Sequence, residues 1–259
     1  MIKFTIATVS YNAEKEIART LDSVLRQDYA HIEHIIIDGA SKDGTMRLVN
    51  EYEEKTKAAA KTIEIRVLSE PDRGLYDAMN KAIGMATGDY IVFLNAGDKL
   101  PEADTLSTIA KQAQSTPHPG VLYGDTDEVD DGGRFLRHRR LAPPDKLSWR
   151  SFKRGMLVCH QAFYARVDLA KQTPYNLGYR FSADVDWCIR VMKRCEKNGS
   201  PLVRVPAVVV HYLAGGMTEK NHRASLRERF RVMRAHYGLF TTLAMHAWFV
   251  VRSVLKPAK

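Results

Sequence analysis

Val67–Asp98, VLSEPDRGLYDAMNKAIGMATGDYIVFLNAGD, is the stretch whose reading decides the fold. It reads as a β-rich run, a polar turn, a helix over Leu75–Ala86, a Gly turn, and a second strand over Tyr90–Leu94. The second strand runs into LNAGD, a loop holding Asn95, Ala96 and Asp98. Oxygen-bearing side chains just past the end of a buried strand can hold a divalent metal over a phosphate, which points to chemistry on a nucleotide-linked substrate.

The same rhythm extends towards the N-terminus. Phe4–Ser10 is β-rich, and Asn12 is placed to cap a helix over Ala13–Arg26 with Ile17, Leu21, Val24 and Leu25 on one face. Ile32–Ile37 reads as a buried strand ending at Asp38, then comes the turn GASKDGT, a helix, and a third strand over Ile63–Leu68. Strands alternating with helices predict an α/β domain with a mostly parallel sheet. In such sheets ligands gather outside the carboxyl ends of the strands. Three polar clusters fall there: Ser10–Glu14, Asp38–Asp43 and Asn95–Asp98.

After Asp98 the pattern loosens. Asp104–Gln114 reads as a helix, Val121–Tyr123 as a strand, and Arg134–Leu141 as a basic segment ended by Pro143 and Pro144. Cys159–Ala165 reads as a strand, Ala183–Lys197 as a helix opening with Asp184 and Asp186, and Leu202–Val210 as a strand before a Gly215–Gly216 loop. The end is helical and basic, with Leu226, Phe230, Met233 and Tyr237 on one face among Arg223, Arg227, Arg231 and Arg234.

Composition narrows the classes. The 259 residues carry a formal charge of +9, which suits phosphates, nucleic acid or anionic lipid, or simply a basic surface. Three cysteines with no C-x-x-C argue against a disulfide framework or a zinc site and fit a reducing cytosol. The start lacks the apolar stretch of an export signal, so a cytoplasmic location is expected. No run is apolar enough to span a membrane; Gly238–Leu255 comes nearest and suits a core helix or one lying in a membrane surface.

Each motif has a plain structural reading beside the functional one. GASKDGT lacks the lysine of a phosphate loop, and no G-x-G-x-x-G follows the first strand, so neither nucleotide fingerprint applies. Asp38 suits hydrogen bonds from a base or ribose, or a helix cap. Asn95 and Asp98 suit a metal or a polar turn. Asp184 and Asp186 open a helix, where carboxylates favour the dipole; two residues apart they face different ways, so at most one points into a cleft. His160 reads as a satisfied core residue, while His211 at a strand end is the better functional candidate. No aromatic RNA-binding motif accompanies the arginines of 134–140, so nucleic acid is not expected as a partner.

Taken together, TVSYNAE, IIIDGASKDGT, the long central stretch, CHQAFYA, FSADVDW and HYLAGGMT resemble a family 2 glycosyltransferase of the GT-A fold, of the bacterial surface-polysaccharide kind. The resemblance implies a mostly parallel, Rossmann-like sheet flanked by helices, in a catalytic domain at 1–220. Residues 1–98 would form its nucleotide-binding half and 99–220 its acceptor-binding half, with a helical basic tail at 221–259. It implies inverting transfer of a hexosyl or N-acetylhexosaminyl group from a nucleotide-diphosphate sugar, expected to be UDP-linked, to a glycan or lipid-linked acceptor. Thr8, Tyr11, Glu14, Asp38, Asp72, Arg73, Asp77, Asn80, Asn95 and Ala96 would bind the donor. Asp98, with His211, would hold Mn2+ or Mg2+, and Asp184 would be the catalytic base.

The chain departs from the family pattern at Asn95 and Gly97, where acidic residues are usual, and at Ala183, where Glu often precedes the base. Two other functions stay open: a nucleotidyltransferase that makes the activated sugar, and a degenerate transferase kept as a binding module. The tail suits three roles: contact with the cytoplasmic membrane leaflet, packing on the domain, or a homodimer contact.

Overall fold

The computed structural model describes residues 1–215 and 221–255. Residues 216–218, which close the HYLAGGMT motif, lie outside the described residues, as do 256–259.

Four parallel strands form the first half: β1 (Phe4–Ser10), β2 (Ile32–Asp38), β3 (Glu64–Ser69) and β4 (Tyr90–Phe93), in the order β3-β2-β1-β4. Every residue of β1, β2 and β4 is buried, as expected of parallel strands covered on both faces. Helices α1 (Ile17–Leu25), α2 (Thr45–Ala58) and α3 (Leu75–Met85) make the crossovers. Helix α1 is shorter than its apolar periodicity suggests. Asn12 takes the left-handed conformation (φ 47°) and does not cap it; its side-chain oxygen instead accepts the backbone N–H of Lys42 at 2.9 Å. Two loops at the sheet edge are thereby tied together.

The second half of the sheet is mixed. After α4 (Thr105–Gln114), β5 (Val121–Val129) is three times the length read from sequence, because parallel β8 (Leu202–Leu213) pairs along it. Strand β7 (Phe163–Arg166) is antiparallel to both β4 and β5 and joins the halves. The segment read as a strand from Cys159 begins instead with a 3-10 turn, His160–Ala162. Strand β6 (Phe135–His138), within the basic segment, is an exposed edge paired to β5. The remaining helices are α5 (Val167–Lys171), α6 (Ala183–Asn198), α7 (His222–Tyr237) and α8 (Leu239–Leu255).

Trp187 on α6 stacks on Tyr175 and meets Phe93 and Phe163 edge-on, locking α6 against the middle of the sheet. No described helix is long and apolar enough to cross a membrane.

Candidate active site

In register, Ser10, Asp38 and Ser69 end β1, β2 and β3 side by side. Asp38 is fully buried, and its carboxylate accepts from the hydroxyls of Ser10, Ser41 and Ser69 and from the Ser41 N–H at 2.9 Å. It binds three strand ends into one rim. Above it Tyr11 is 66% exposed, and Asp72 leans over Gly39, where a Cβ would lie 2.8 Å from Asp72 Oδ2 and 3.2 Å from the Tyr11 ring. Glu14 covers Gly44 in the same way and pairs with Arg47 at 3.3 Å. Tyr11, Glu14, Asp38 and Asp72 thus share one end of the sheet.

Other expected donor residues play different parts. Thr8 is fully buried and its hydroxyl bonds His34 Nε2 at 2.9 Å, so its side chain is outside the cleft. Asp77 accepts from the backbone and guanidinium of Arg73 at 3.0 and 3.1 Å; it fixes the turn that opens α3 and leaves the Arg73 side chain 80% exposed. Asn80 holds the backbone of Tyr175 at both ends, accepting at 2.7 Å and donating at 3.0 Å. That tie explains Asn80 without a ligand.

The LNAGD loop is bound to α1 by Thr20, whose hydroxyl donates to the carbonyls of Asn95 and Asp98 and accepts from Gly97 N–H. Ala96 N–H donates to Val9 O at 3.3 Å. Gly97 has φ +100°, and a Cβ there would sit 2.5 Å from Leu213 Cδ2; glycine at this position has a steric reason. Asp98 is 3% exposed. Its oxygens accept from Leu213 N–H (2.9 Å) and Gln161 Nε2 (3.0 Å). Burial pushes its pKa up to about 6, against the pull of those donors and of His160.

His211 lies on β8, two residues before Leu213, whose N–H Asp98 accepts. Its backbone forms a two-bond bridge with Lys99, and the charged groups acting on its ring are Lys99, Asp127 and Glu102. Burial and Lys99 hold its pKa down. No group of three or more His, Cys, Asp or Glu among the described residues is arranged to hold a metal ion. Asn95 Oδ1 is buried with no hydrogen-bond partner, which fits an ion held mainly by substrate oxygens with one amide ligand from the chain.

Asp184 lies in the first turn of α6. Tyr76 OH, from α3, donates to Oδ1 at 3.3 Å, and His160 Nδ1 is 3.5 Å from Oδ2. Burial opposes the charge, but His160 and the positive charge of Arg229 outweigh it and keep the carboxyl below the usual range. His160 and Gln161 are neighbours in one 3-10 turn, so Asp184 and Asp98 meet the same short segment from two sides. Asp186 turns the other way, to Arg190 and His236. The two carboxylates thus face apart, as their spacing requires.

His160, Gln161 and Tyr76 were not singled out as site residues by sequence. His160 reads as a core residue and is nearly buried, but its Nε2 has no partner. The adjacent pair of polar residues in the apolar run CHQAFYA was the available signal.

Comparison with known proteins identifies the family and the fold. Residues 5–172 match the family description "Glycosyl transferase family 2". A PGL/p-HBAD biosynthesis glycosyltransferase of Mycobacterium tuberculosis is 34% identical over 214 residues, covering 80% of this chain and 75% of that protein. The amylovoran biosynthesis glycosyltransferase AmsB of Erwinia amylovora is 26% identical, covering 82% and 69%. Among solved structures, S. aureus TarS 1-349 in complex with UDP-GlcNAc superposes with a TM-score of 0.70 at 19% identity, covering 90% of this chain and 65% of that one. This chain thus spans a little under two thirds of that TarS chain. The mannosyltransferase PcManGT from Pyrobaculum calidifontis, in complex with GDP-Man and Mn2+, gives 0.60 at 19% identity, covering 100% and 76%. The fold is GT-A, and the chain belongs to glycosyl transferase family 2.

Proposed function

We propose that this chain is an inverting glycosyltransferase that moves a hexosyl or N-acetylhexosaminyl group from a nucleotide-diphosphate sugar, UDP-linked, to an acceptor hydroxyl in cell-envelope glycan or glycolipid assembly. The observation that carries this reading is Asp184: a half-buried carboxylate held ionised by His160 and Arg229, against the same 3-10 turn that Asp98 touches. A carboxylate kept ionised and hydrogen-bonded at a cleft suits proton removal from an attacking hydroxyl. Tyr11, Glu14, Asp38 and Asp72 form the rim for the nucleotide, and the Gly124–Met156 region serves the acceptor. A divalent ion, Mn2+ or Mg2+, would supply charge neutralisation at the diphosphate, with Asn95 Oδ1 as the chain's own ligand. Attack on the face opposite the diphosphate inverts the anomeric centre. Both structural neighbours were solved with nucleotide-diphosphate sugars, which supports the donor class.

The test is release of nucleoside diphosphate from a panel of UDP-glucose, UDP-galactose, UDP-GlcNAc and GDP-mannose, with Mn2+ or EDTA, and the anomeric form of the product by NMR. Asp184→Asn is expected to lower turnover by roughly 10²–10⁴-fold with donor affinity unchanged. Full turnover by Asp184→Asn removes the assigned base. Pyrophosphate made from a sugar phosphate and a nucleoside triphosphate would instead favour the nucleotidyltransferase. Donor binding without any turnover would favour the binding module.

The tail supports a membrane-facing role. Helix α8 leaves Leu239, Phe240, Leu243 and Trp248 exposed, Phe240 at 88%, and α7 presents Arg223, Arg227, Arg231 and Arg234 to solvent. Apolar insertion beside arginines suits an anionic leaflet carrying a lipid-linked acceptor. A chain ending at Tyr237 should lose binding to phosphatidylglycerol vesicles. Unchanged vesicle binding removes the proposal, and a dimer that dissociates on the same truncation assigns the face to a second copy.

A further inference from the structure

Helix α6, which carries Asp184, begins without a cap of its own. Ser182 stands at its N-cap position, but no side chain there bonds the first turn. The N–H groups leading into a helix need acceptors, and at a buried end leaving them unmet is costly. Here the acceptor comes from 46 residues further along the chain. Glu228 of α7, only 8% exposed, accepts the backbone N–H of Arg180 at 2.8 Å, Phe181 at 2.6 Å and Ser182 at 2.8 Å. The Ser182 hydroxyl donates to the carbonyl of Ser225, one turn back on α7.

A second clasp lies further along both helices. His236 Nε2 meets Asp186 Oδ1 at 2.8 Å, and Lys193 Nζ meets His236 Nδ1 at 3.0 Å. Val232, between the two clasps, is fully buried. Arg229, adjacent to Glu228, adds positive charge at Asp184. The face of α7 that meets α6 is therefore built to hold the segment that leads into that helix, and Asp184 is the second residue of the turn that follows.

We propose that Glu228 is a positioning residue for Asp184: by gathering the three N–H groups that lead into α6, it sets where the helix starts and hence where the carboxylate stands. The catalytic unit then extends through Tyr237 instead of ending near residue 220. This rests on the reading of Asp184 as the base. Displacing a reacting group by about 1 Å can cost on the order of 10²-fold in rate.

The experiment uses the full chain and the donor of the panel that the wild type turns over fastest. Glu228→Gln keeps the volume but removes the charge and part of the acceptor capacity. Glu228→Asp keeps the charge but shortens the reach, and carries the same comparison should the Gln variant unfold. For a variant whose circular dichroism matches wild type, turnover should fall about 10- to 100-fold with donor Kd within about twofold of wild type. In an Asp184→Asn background the same substitution should change turnover by less than about twofold, because the group it positions is gone. A folded Glu228→Gln with wild-type turnover overturns the positioning role, as does a loss that persists undiminished in the Asp184→Asn background. Wild-type turnover by Asp184→Asn alone instead overturns the base assignment, and the positioning role with it.

Discussion

His34 offers a test of how dry the interior of the parallel half of the sheet is. It sits in the middle of β2, fully buried, with Nε2 on the Thr8 hydroxyl at 2.9 Å and Nδ1 on the Tyr52 hydroxyl at 2.8 Å. Burial pushes its pKa from the ordinary 6.5 down to about 3. Below pH 6.5 the unfolded chain takes up a proton at this site while the folded chain does not. Stability is therefore lost as pH falls from 6.5 towards 3. Linkage over the interval from pH 7 to pH 5 gives a loss of about 2 kcal/mol from this residue.

Asp98 acts in the opposite sense. Burial raises its pKa from 3.8 to about 6, so the folded chain holds a proton there in a range where the unfolded chain is ionised. Acidification from pH 7 to pH 5 returns about 1 kcal/mol. The wild-type profile is consequently shallow, and the His34 contribution must be read by difference. The assay is urea unfolding followed by tryptophan fluorescence in EDTA, at pH 5 and pH 7, on wild type and His34→Gln. Wild-type stability minus variant stability should shrink by about 2 kcal/mol on acidification. A difference that does not change with pH would mean that His34 is hydrated, and the dry interior beneath Thr8 would have to be given up.

Replacing His160 by Phe removes the group that does most to offset burial at Asp184, so the base should titrate higher and the acid limb of the pH–turnover profile should move to higher pH; an unmoved limb rejects the contact. Gly97→Asp restores an acid at a position where the family usually has one. It should still destabilise the protein by about 1–3 kcal/mol by thermal melting, because φ is +100° and Leu213 blocks the Cβ, and it should not raise Mn2+-dependent turnover. Glu33 is fully buried and accepts from Thr5 Oγ1 at 2.6 Å, Thr87 N at 2.8 Å and Thr87 Oγ1 at 2.7 Å. Glu33→Gln should cost about 1–3 kcal/mol in urea unfolding with donor affinity unchanged.

What could be read from sequence follows the range of the forces involved. Strands β1, β2 and β4 are buried throughout because both faces are covered, and their runs of β-branched residues signal that in the sequence even though β2 also buries Glu33, His34 and Asp38. Chain order and the rule that loops gather at the carboxyl edge were enough to place the clusters holding Asp38 and Asp98, whereas Asp72 and Asp184 were reached only through the family resemblance. The direction of each side chain did not follow. Asn80 reads as a donor contact until the backbone of Tyr175, 95 residues away, is seen to occupy both its amide atoms. Thr8 sits in a cleft-lining strand, yet its hydroxyl faces His34.

The tail shows the same limit most clearly. Apolar periodicity put Leu226, Phe230, Met233 and Tyr237 on one face of α7. Leu226 is 48% exposed, and the buried stripe is Ser225, Glu228, Val232 and Met233. A search for apolar residues passes over that stripe because half of it is polar. Glu228 is buried where three backbone donors just ahead of α6 need an acceptor, and Ser225 where its carbonyl takes the Ser182 hydroxyl. Charge on a helix that looks solvent-facing can thus be an internal cap for a distant element, and the exposed arginines beside it conceal the difference. Helix α7 therefore has two unlike faces, one holding the segment that leads into α6 and the other presenting cations to solvent. An α7 displaced from α6 would take away the acceptor of three N–H groups, that of Ser182 buried, and free the turn that carries Asp184.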